Sequence, residues 1–255
     1  MALGIKKANT KAWQLLLLGI LAGLYIGLGG HVFLVALEQG MGKILGGAVF
    51  SVGLILVVIA GAELFTGNIL MVVSTVLSLY SIKKVLKNWV AVYSGNFLGS
   101  ILLVLVIWNC GLLGSAGQPN ALGEVAHNVS QSKMALPFSE AFLRGILCNI
   151  LVILAIIMAT IAEDIISKIL CCTLPVMVFV ACGFEHCIAN MYLIPIGLMA
   201  GESSGFELIG MFKNILPVTL GNIVGGLFIL VVHPNRIRQF GFILKYKKNF
   251  SSEAG

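Results

Sequence analysis

Two octapeptides place polar chemistry where apolar residues dominate. Gly61-Ala-Glu-Leu-Phe-Thr-Gly-Asn68 and Gly183-Phe-Glu-His-Cys-Ile-Ala-Asn190 both fit G-x-E-x-x-x-[G/A]-N, and both lie inside long apolar runs. His186 is the residue whose type offers most. Its imidazole ordinarily titrates at about 6.5, so a modest perturbation lets it exchange a proton near neutral pH. A lone histidine on an apolar helix is more often a satisfied core residue, and it is the duplicated motif that argues for function. Thr66, in the matching region of the first octapeptide, carries a hydroxyl able to donate to or accept from an imidazole or a passing solute. Bonding to its own helix backbone is the plainer alternative. Glu63 and Glu185 read differently, because an ionised carboxylate on an anion path would repel its cargo. They are expected to be structural, accepting bonds from N–H groups freed at a chain break. Asn68, Asn190, Asn96 and Asn222 are expected to tie such broken backbone to neighbouring helices, and Asn222 has a second reading as a lumen-facing amide.

The elements that must position these residues are membrane helices. The chain is 59% hydrophobic and 10% charged, with a mean hydropathy of +1.04. A soluble domain carries roughly 25% charged residues, so this is an integral membrane protein. The net charge of +6 has no aromatic-interleaved basic patch behind it and reads as membrane topology rather than nucleic-acid binding. The six cysteines (110, 148, 171, 172, 182, 187) show no C-x-x-C spacing, so no disulfide is expected. The four histidines (31, 127, 186, 233) show no metal-ligand spacing, and no cofactor motif is visible. His31, in the first apolar segment, reads as packed or interfacial. No cleavable leader pattern is visible at the N-terminus.

Six apolar segments stand out, at about 13–37, 45–80, 88–108, 138–162, 165–199 and 214–233. The second and fifth exceed the roughly 20 residues of a straight crossing, and they carry the octapeptides. An overlong span interrupted by Gly and polar residues reads as a broken helix, tolerated in lipid only where buried in protein or lining a cavity. Gly61, Gly67 and Gly183 are the positions expected to let the backbone bend or approach closely. With both termini on one side, that side holds Lys6, Lys7, Lys11, Lys83, Lys84, Lys87, Lys168, Arg236, Arg238, Lys245, Lys247 and Lys248. The other side holds Lys43, Lys133 and Lys213, and Arg144 lies within or beside span four. Positive charge collects in the cytoplasm, so both termini are expected there, in a multi-pass protein of the plasma or inner membrane.

The octapeptides are not the only pair. Gly19-Ile-Leu-Ala-Gly23 matches Gly145-Ile-Leu-Cys-Asn149, and Lys87-Asn88 with Gly95-Asn96-x-x-Gly99 matches Lys213-Asn214 with Gly221-Asn222-x-x-Gly225. The offsets are 126, 122 and 126, in order along the chain. A duplication follows, repeat one about 13–108 and repeat two about 138–233, with a basic tail at 234–255. Each unit has an odd number of spans, so the copies must be oppositely inserted. The fold class expected is an all-α membrane protein of six transmembrane helices arranged as a 3+3 inverted repeat. The site would then lie near the midplane where the two broken helices meet, with half-helix N-termini offering free N–H groups and a positive dipole end to anions. Phe50, Leu54, Leu64 and Phe179 fall within a few turns of the breaks. They could narrow a lumen there, although a large helical residue is more often ordinary packing. Lys133, in the outer loop 109–137, could draw anions to the entrance.

These residues resemble the formate/nitrite transporter family: LFTGN on the second span, GFEHxxAN on the fifth, and Gly-Asn-x-x-Gly on the third and sixth. The resemblance runs from Lys6-Lys7 to the basic tail. It implies an aquaporin-like protomer with its own pore, assembly as a homopentamer, and small monovalent anions as cargo (formate, nitrite, or hydrosulfide as in a clostridial branch). Carried over, it makes His186 and Thr66 the central polar pair. It makes Phe50, Leu54, Leu64 and Phe179 the hydrophobic constrictions, and Asn222 a pore-facing amide. Lys133 becomes a vestibular lysine and Lys7 its cytoplasmic counterpart. Residues 66–72 resemble the loop that packs against the protomer centre. The flank of Lys133, SQSKMALPF, departs from the His-rich stretch of several members.

A protonatable anion crosses hydrocarbon far more cheaply as its neutral acid. The expected mechanism is therefore concentration of the anion in basic vestibules, then transient protonation with His186 as donor or hydrogen-bond partner. A proton-coupled carrier of the same cargo is the nearest alternative. A water channel would need paired Asn-Pro-Ala triplets, which do not occur, and an ammonium channel would need paired pore histidines. A membrane enzyme would need a nucleophile–base pair or metal cluster, which the chain does not show.

Overall fold

The computed structural model describes residues 2–76, 79–115, 117–201 and 207–232. His233 and the basic tail, with Arg236, Arg238, Lys245, Lys247 and Lys248, lie outside the described residues. A short helix α1 (Ala2–Asn9) precedes α2 (Ala12–Glu38). Next comes one continuous helical stretch of α3 (Gly42–Phe50), α4 (Val52–Ile55) and a π-helical turn (Leu56–Gly61). After a non-helical step come the single turn α5 (Phe65–Asn68), α6 (Met71–Val76) and the long α7 (Ile82–Asn109). A two-stranded hairpin of β1 (Gly114–Ser115) and β2 (Gln118–Pro119) leads into α8 (Ala121–Met134). The rest is α9 (Phe138–Ile161), α10 (Ile165–Ala181), α11 (Cys187–Ala200) and α12 (Glu207–Val232). Five helical stretches are long and apolar enough to cross a membrane: Ala12–Glu38, Gly42–Gly61, Ile82–Asn109, Phe138–Ile161 and Leu208–Val232.

Segment 109–137 is not the plain loop expected. It holds the 14-residue α8, whose start is capped where the Asn120 side chain accepts from the Gly123 N–H at 3.0 Å. Segment 66–72 is likewise not loop throughout, since α5 and the first residues of α6 are helical.

The centre of the molecule is α11. Every residue of it except Met199 is buried, which fits a helix apolar all round rather than on one stripe. Tyr192 is its largest side chain. It packs against Gly27 and Gly30 of α2, and its hydroxyl lies 3.0 Å from Nδ1 of His31. Ser130 of α8 donates to the Ile194 carbonyl at 3.0 Å.

Two tight helix crossings flank this centre. In the α2–α7 crossing, a Cβ at Gly23 would overlap the Asn96 carbonyl and one at Gly99 the Ile20 carbonyl. In the α9–α12 crossing, a Cβ at Gly221 would overlap the Phe142 carbonyl and one at Gly225 the Ile146 carbonyl. Without water to drive helices together, small residues that let backbones touch supply the contact. Large apolar side chains such as Leu98, Leu147, Leu216 and Phe228 remain exposed on the outside, as lipid-facing residues do.

Candidate functional site

The site is built where helices stop and restart. The first stop begins in the π-helical turn, where the Ala62 N–H bonds five residues back to the Val57 carbonyl at 3.0 Å. Gly61 then takes φ +86°, and residues 62–64 are extended or irregular before α5 begins. The second stop is a Schellman closure of α10. Gly183 takes φ +69°, its N–H bonds to the Val180 carbonyl at 3.1 Å, and the Phe184 N–H bonds to the Phe179 carbonyl at 2.9 Å. Gly67 is helical, so its smallness serves contact rather than bending: a Cβ there would come 2.6 Å from Cδ1 of Ile156.

At each stop one asparagine replaces the missing ladder. Asn96 Nδ2 donates to the carbonyls of Gly19 and Glu63, both at 2.9 Å, while its Oδ1 accepts from the Phe65 N–H at 3.0 Å. Asn222 repeats this on the other side. Its Nδ2 donates to Gly145 at 2.7 Å and Glu185 at 3.0 Å, and its Oδ1 accepts from the Cys187 N–H at 2.9 Å. Both N–H groups of Asn222 are thus spent on backbone, and the residue is fully buried, as Thr66 is. The first N–H of each restarting helix is spent too, so neither is free for an anion.

The glutamates also differ from expectation. Their carboxylates do not take the freed backbone N–H groups. Glu185 accepts from Lys133 Nζ at 2.9 and 3.0 Å and from Asn190 Nδ2 at 2.6 Å. Asn190 continues to Asn214 Oδ1 at 2.7 Å, and Asn214 returns to the Lys133 carbonyl at 2.8 Å, closing a ring. At the first stop Lys7 Nζ donates to Glu63 at 2.9 Å and to Asn68 Oδ1 at 2.6 Å, and Asn68 Nδ2 donates to Glu63 and to Asn88. Lys133 and Lys7 are therefore not free vestibular cations. A carboxylate buried beside a helix stop needs a paired charge, and these lysines supply it.

Between the clamps the two octapeptides meet. Thr66 Oγ1 lies 3.0 Å from His186 Nε2, with both residues buried. His186 is also the N-cap of α11, its Nδ1 accepting from the Ala189 N–H at 3.2 Å. An imidazole that accepts at Nδ1 carries its proton on Nε2 and donates to Thr66, leaving the threonine hydroxyl hydrogen free to point elsewhere. A second proton on the ring would displace the Ala189 N–H.

Apolar rings close around this pair. Phe179 stacks on His186 with centroids 6.0 Å apart, and Phe50 meets Phe179 edge-on at 5.9 Å. Leu54 and Leu64 are buried in the same core. The structure thus gathers Thr66, His186, Phe50 and Phe179 into direct contact. It holds Lys133 and Lys7 a layer away, on the glutamates. Sequence reasoning gave no role to Asn88, Asn214 or Asn149, whose Nδ2 donates to the Asn222 carbonyl at 2.6 Å. The signal was present, since all three lie within the repeated segments.

The family model for the formate/nitrite transporter matches residues 1–234. The chain is 38% identical to the formate channel FocA of Haemophilus influenzae over 86% of its own length and 85% of that protein. It is 36% identical to a probable formate transporter of Methanothermobacter thermautotrophicus, covering 86% and 87%. A solved pentameric formate channel with formate bound superposes with a TM-score of 0.72 at 36% identity, covering 86% of this chain and 94% of that one. An FNT family ion channel gives 0.80 at 30% identity, covering 89% and 92%. These relatives are channels and transporters, not enzymes. Five membrane-length apolar stretches and a match along nearly all of the described chain lead to one conclusion: this is a multi-pass membrane protein that belongs to the formate/nitrite transporter family.

Proposed function

We propose that the protein is a channel for small monovalent weak-acid anions, formate first among them, with one pore in each protomer of a homopentamer. The observation that carries this reading is the Thr66–His186 contact at 3.0 Å, made between two helix interruptions and enclosed by apolar rings. The two interrupted stretches and four long helices form a 3+3 inverted repeat. Residues 122 apart play matching parts at the two stops, as Glu63 and Glu185 or Asn68 and Asn190 do, and residues 126 apart do so on the supporting helices. Copies inserted oppositely place their stops at mirrored depths, so stops that touch must lie near the bilayer midplane. Both termini then face the cytoplasm.

The chemistry follows from cost. A bare anion in an apolar constriction loses its hydration, whereas the neutral acid loses little. His186, neutral and donating, keeps the Thr66 hydroxyl oriented so that its hydrogen can meet a carboxylate oxygen passing between the rings. The anion gains a donor at the point of highest desolvation, while the apolar rings around it penalise its charge and so favour uptake of a proton from the aqueous side. The amide clamps and ion pairs hold this geometry and take no part in transfer. The long α11 keeps the positive end of its dipole at His186, whereas α5 is too short to add much.

Reconstituted protein should conduct labelled formate into liposomes faster than nitrite or hydrosulfide, and faster as external pH falls. Nitrite or hydrosulfide outrunning formate would reassign the cargo, and no flux of any of the three would end the channel reading. Unitary currents separate an open pore from a proton-coupled carrier.

A further inference from the structure

Tyr93 and Thr219 are 126 residues apart, the offset that relates Asn96 to Asn222, and they bond to each other: Tyr93 Oη lies 2.9 Å from Thr219 Oγ1. Equivalent positions of two copies can touch only where the copies meet. Tyr93 sits on α7, three residues before the Asn96 clamp, and its ring packs edge-on against Phe65 with centroids 4.9 Å apart. Phe65 directly precedes Thr66. Thr219 sits on α12, three residues before the Asn222 clamp, whose Oδ1 accepts from the Cys187 N–H at 2.9 Å. Cys187 directly follows His186. A closed circuit results. Thr66 and its stop are held by α7, His186 and its stop by α12, and the Tyr93–Thr219 bond ties α7 to α12 behind the site.

We infer that Tyr93 and Thr219 are positioning residues that fix the separation of the two helix stops and thereby set the size of anion admitted between Thr66 and His186. Neither touches the cargo. Their bond is the strut that opposes parting of the stops, and the Phe65 contact transmits it to the residue beside Thr66. This rests on the channel reading above and adds to it the element that discriminates formate from larger carboxylates.

The test compares acetate with formate uptake in liposomes of fixed lipid composition. Tyr93→Phe keeps the ring on Phe65 and removes only the hydroxyl; Thr219→Val keeps shape and removes the other. Each should raise the acetate-to-formate flux ratio about fivefold, the worth of one net hydrogen bond. The double variant should rise no further, because both changes remove the same bond. Thr219→Ser should keep the wild-type ratio. A merely structural role would lower both fluxes in parallel and leave the ratio alone. An unchanged ratio in Tyr93→Phe, additive effects in the double variant, or a Ser variant that behaves like Val would each overturn the inference. Absence of formate flux in the wild type would instead overturn the channel reading itself.

Discussion

Lys133→Ala is expected to destabilise the folded protein by about 3–5 kcal/mol, because it leaves the Glu185 carboxylate buried without its counter-charge. The side chain of Glu185 is 6% exposed and that of Lys133 16%, so water cannot replace the ammonium at little cost. Asn190 would remain as a partner at 2.6 Å, but an amide donor does not neutralise a charge. For a chain of this size the loss corresponds to a fall of roughly 10 °C in the melting temperature. Intrinsic fluorescence of the detergent-solubilised protein would report it. Lys133→Ala/Glu185→Gln should recover most of the loss, since it removes the charge that needed pairing. Lys7→Ala should cost less, because Lys7 and Glu63 are more exposed at 21% and 12%. A Lys133→Ala protein that melts with the wild type would mean the ion pair is not what holds the second stop.

Gly99→Val is expected to cost about 3 kcal/mol or more, at or beyond the upper end of overpacking penalties. The new Cβ would overlap the Ile20 carbonyl, a backbone atom in the middle of α2 that cannot swing aside. The helices would have to part, and Asn96, which reaches across the same crossing to Gly19 and Glu63, would part with them. Thermal melting and recovery of monodisperse protein after detergent extraction both read this out. Gly67→Ala is the control. Its Cβ would meet only Cδ1 of Ile156 at 2.6 Å, the far end of a flexible side chain, so its cost should stay below about 1 kcal/mol. Equal melting of the two variants would contradict the crossing geometry.

Some of this was legible in the residues and some was not. The octapeptides stood out because Glu, His, Thr and Asn are conspicuous in apolar runs, and Gly61 and Gly183 marked the stops. The ends of α2 and α9 followed from hydropathy to within a residue or two. The π-helical turn did not, because Leu56-Val-Val-Ile-Ala-Gly61 reads as any apolar helix. Helix α8 hid among loop signals, although Asn120 four residues before Glu124 is an N-cap pattern that could have revealed it. The partners of the lysines were beyond sequence reading. Lys133 and Glu185 are 52 residues apart, and Lys7 and Glu63 are 56. Only the packed helices decide whether such a lysine faces water or a buried carboxylate. The same holds for Tyr93 and Thr219, whose bond the repeat offset anticipates but cannot establish.

The proposed pore depends most directly on one imidazole, that of His186. Formate uptake into liposomes, measured from pH 8 to pH 5 for wild type and His186→Ala at matched protein density, tests it. The wild type should accelerate as pH falls, and the variant should lose at least about tenfold in rate across that range, having lost the donor that orients Thr66. A His186→Ala protein with the wild-type rate and the wild-type pH profile would contradict the account.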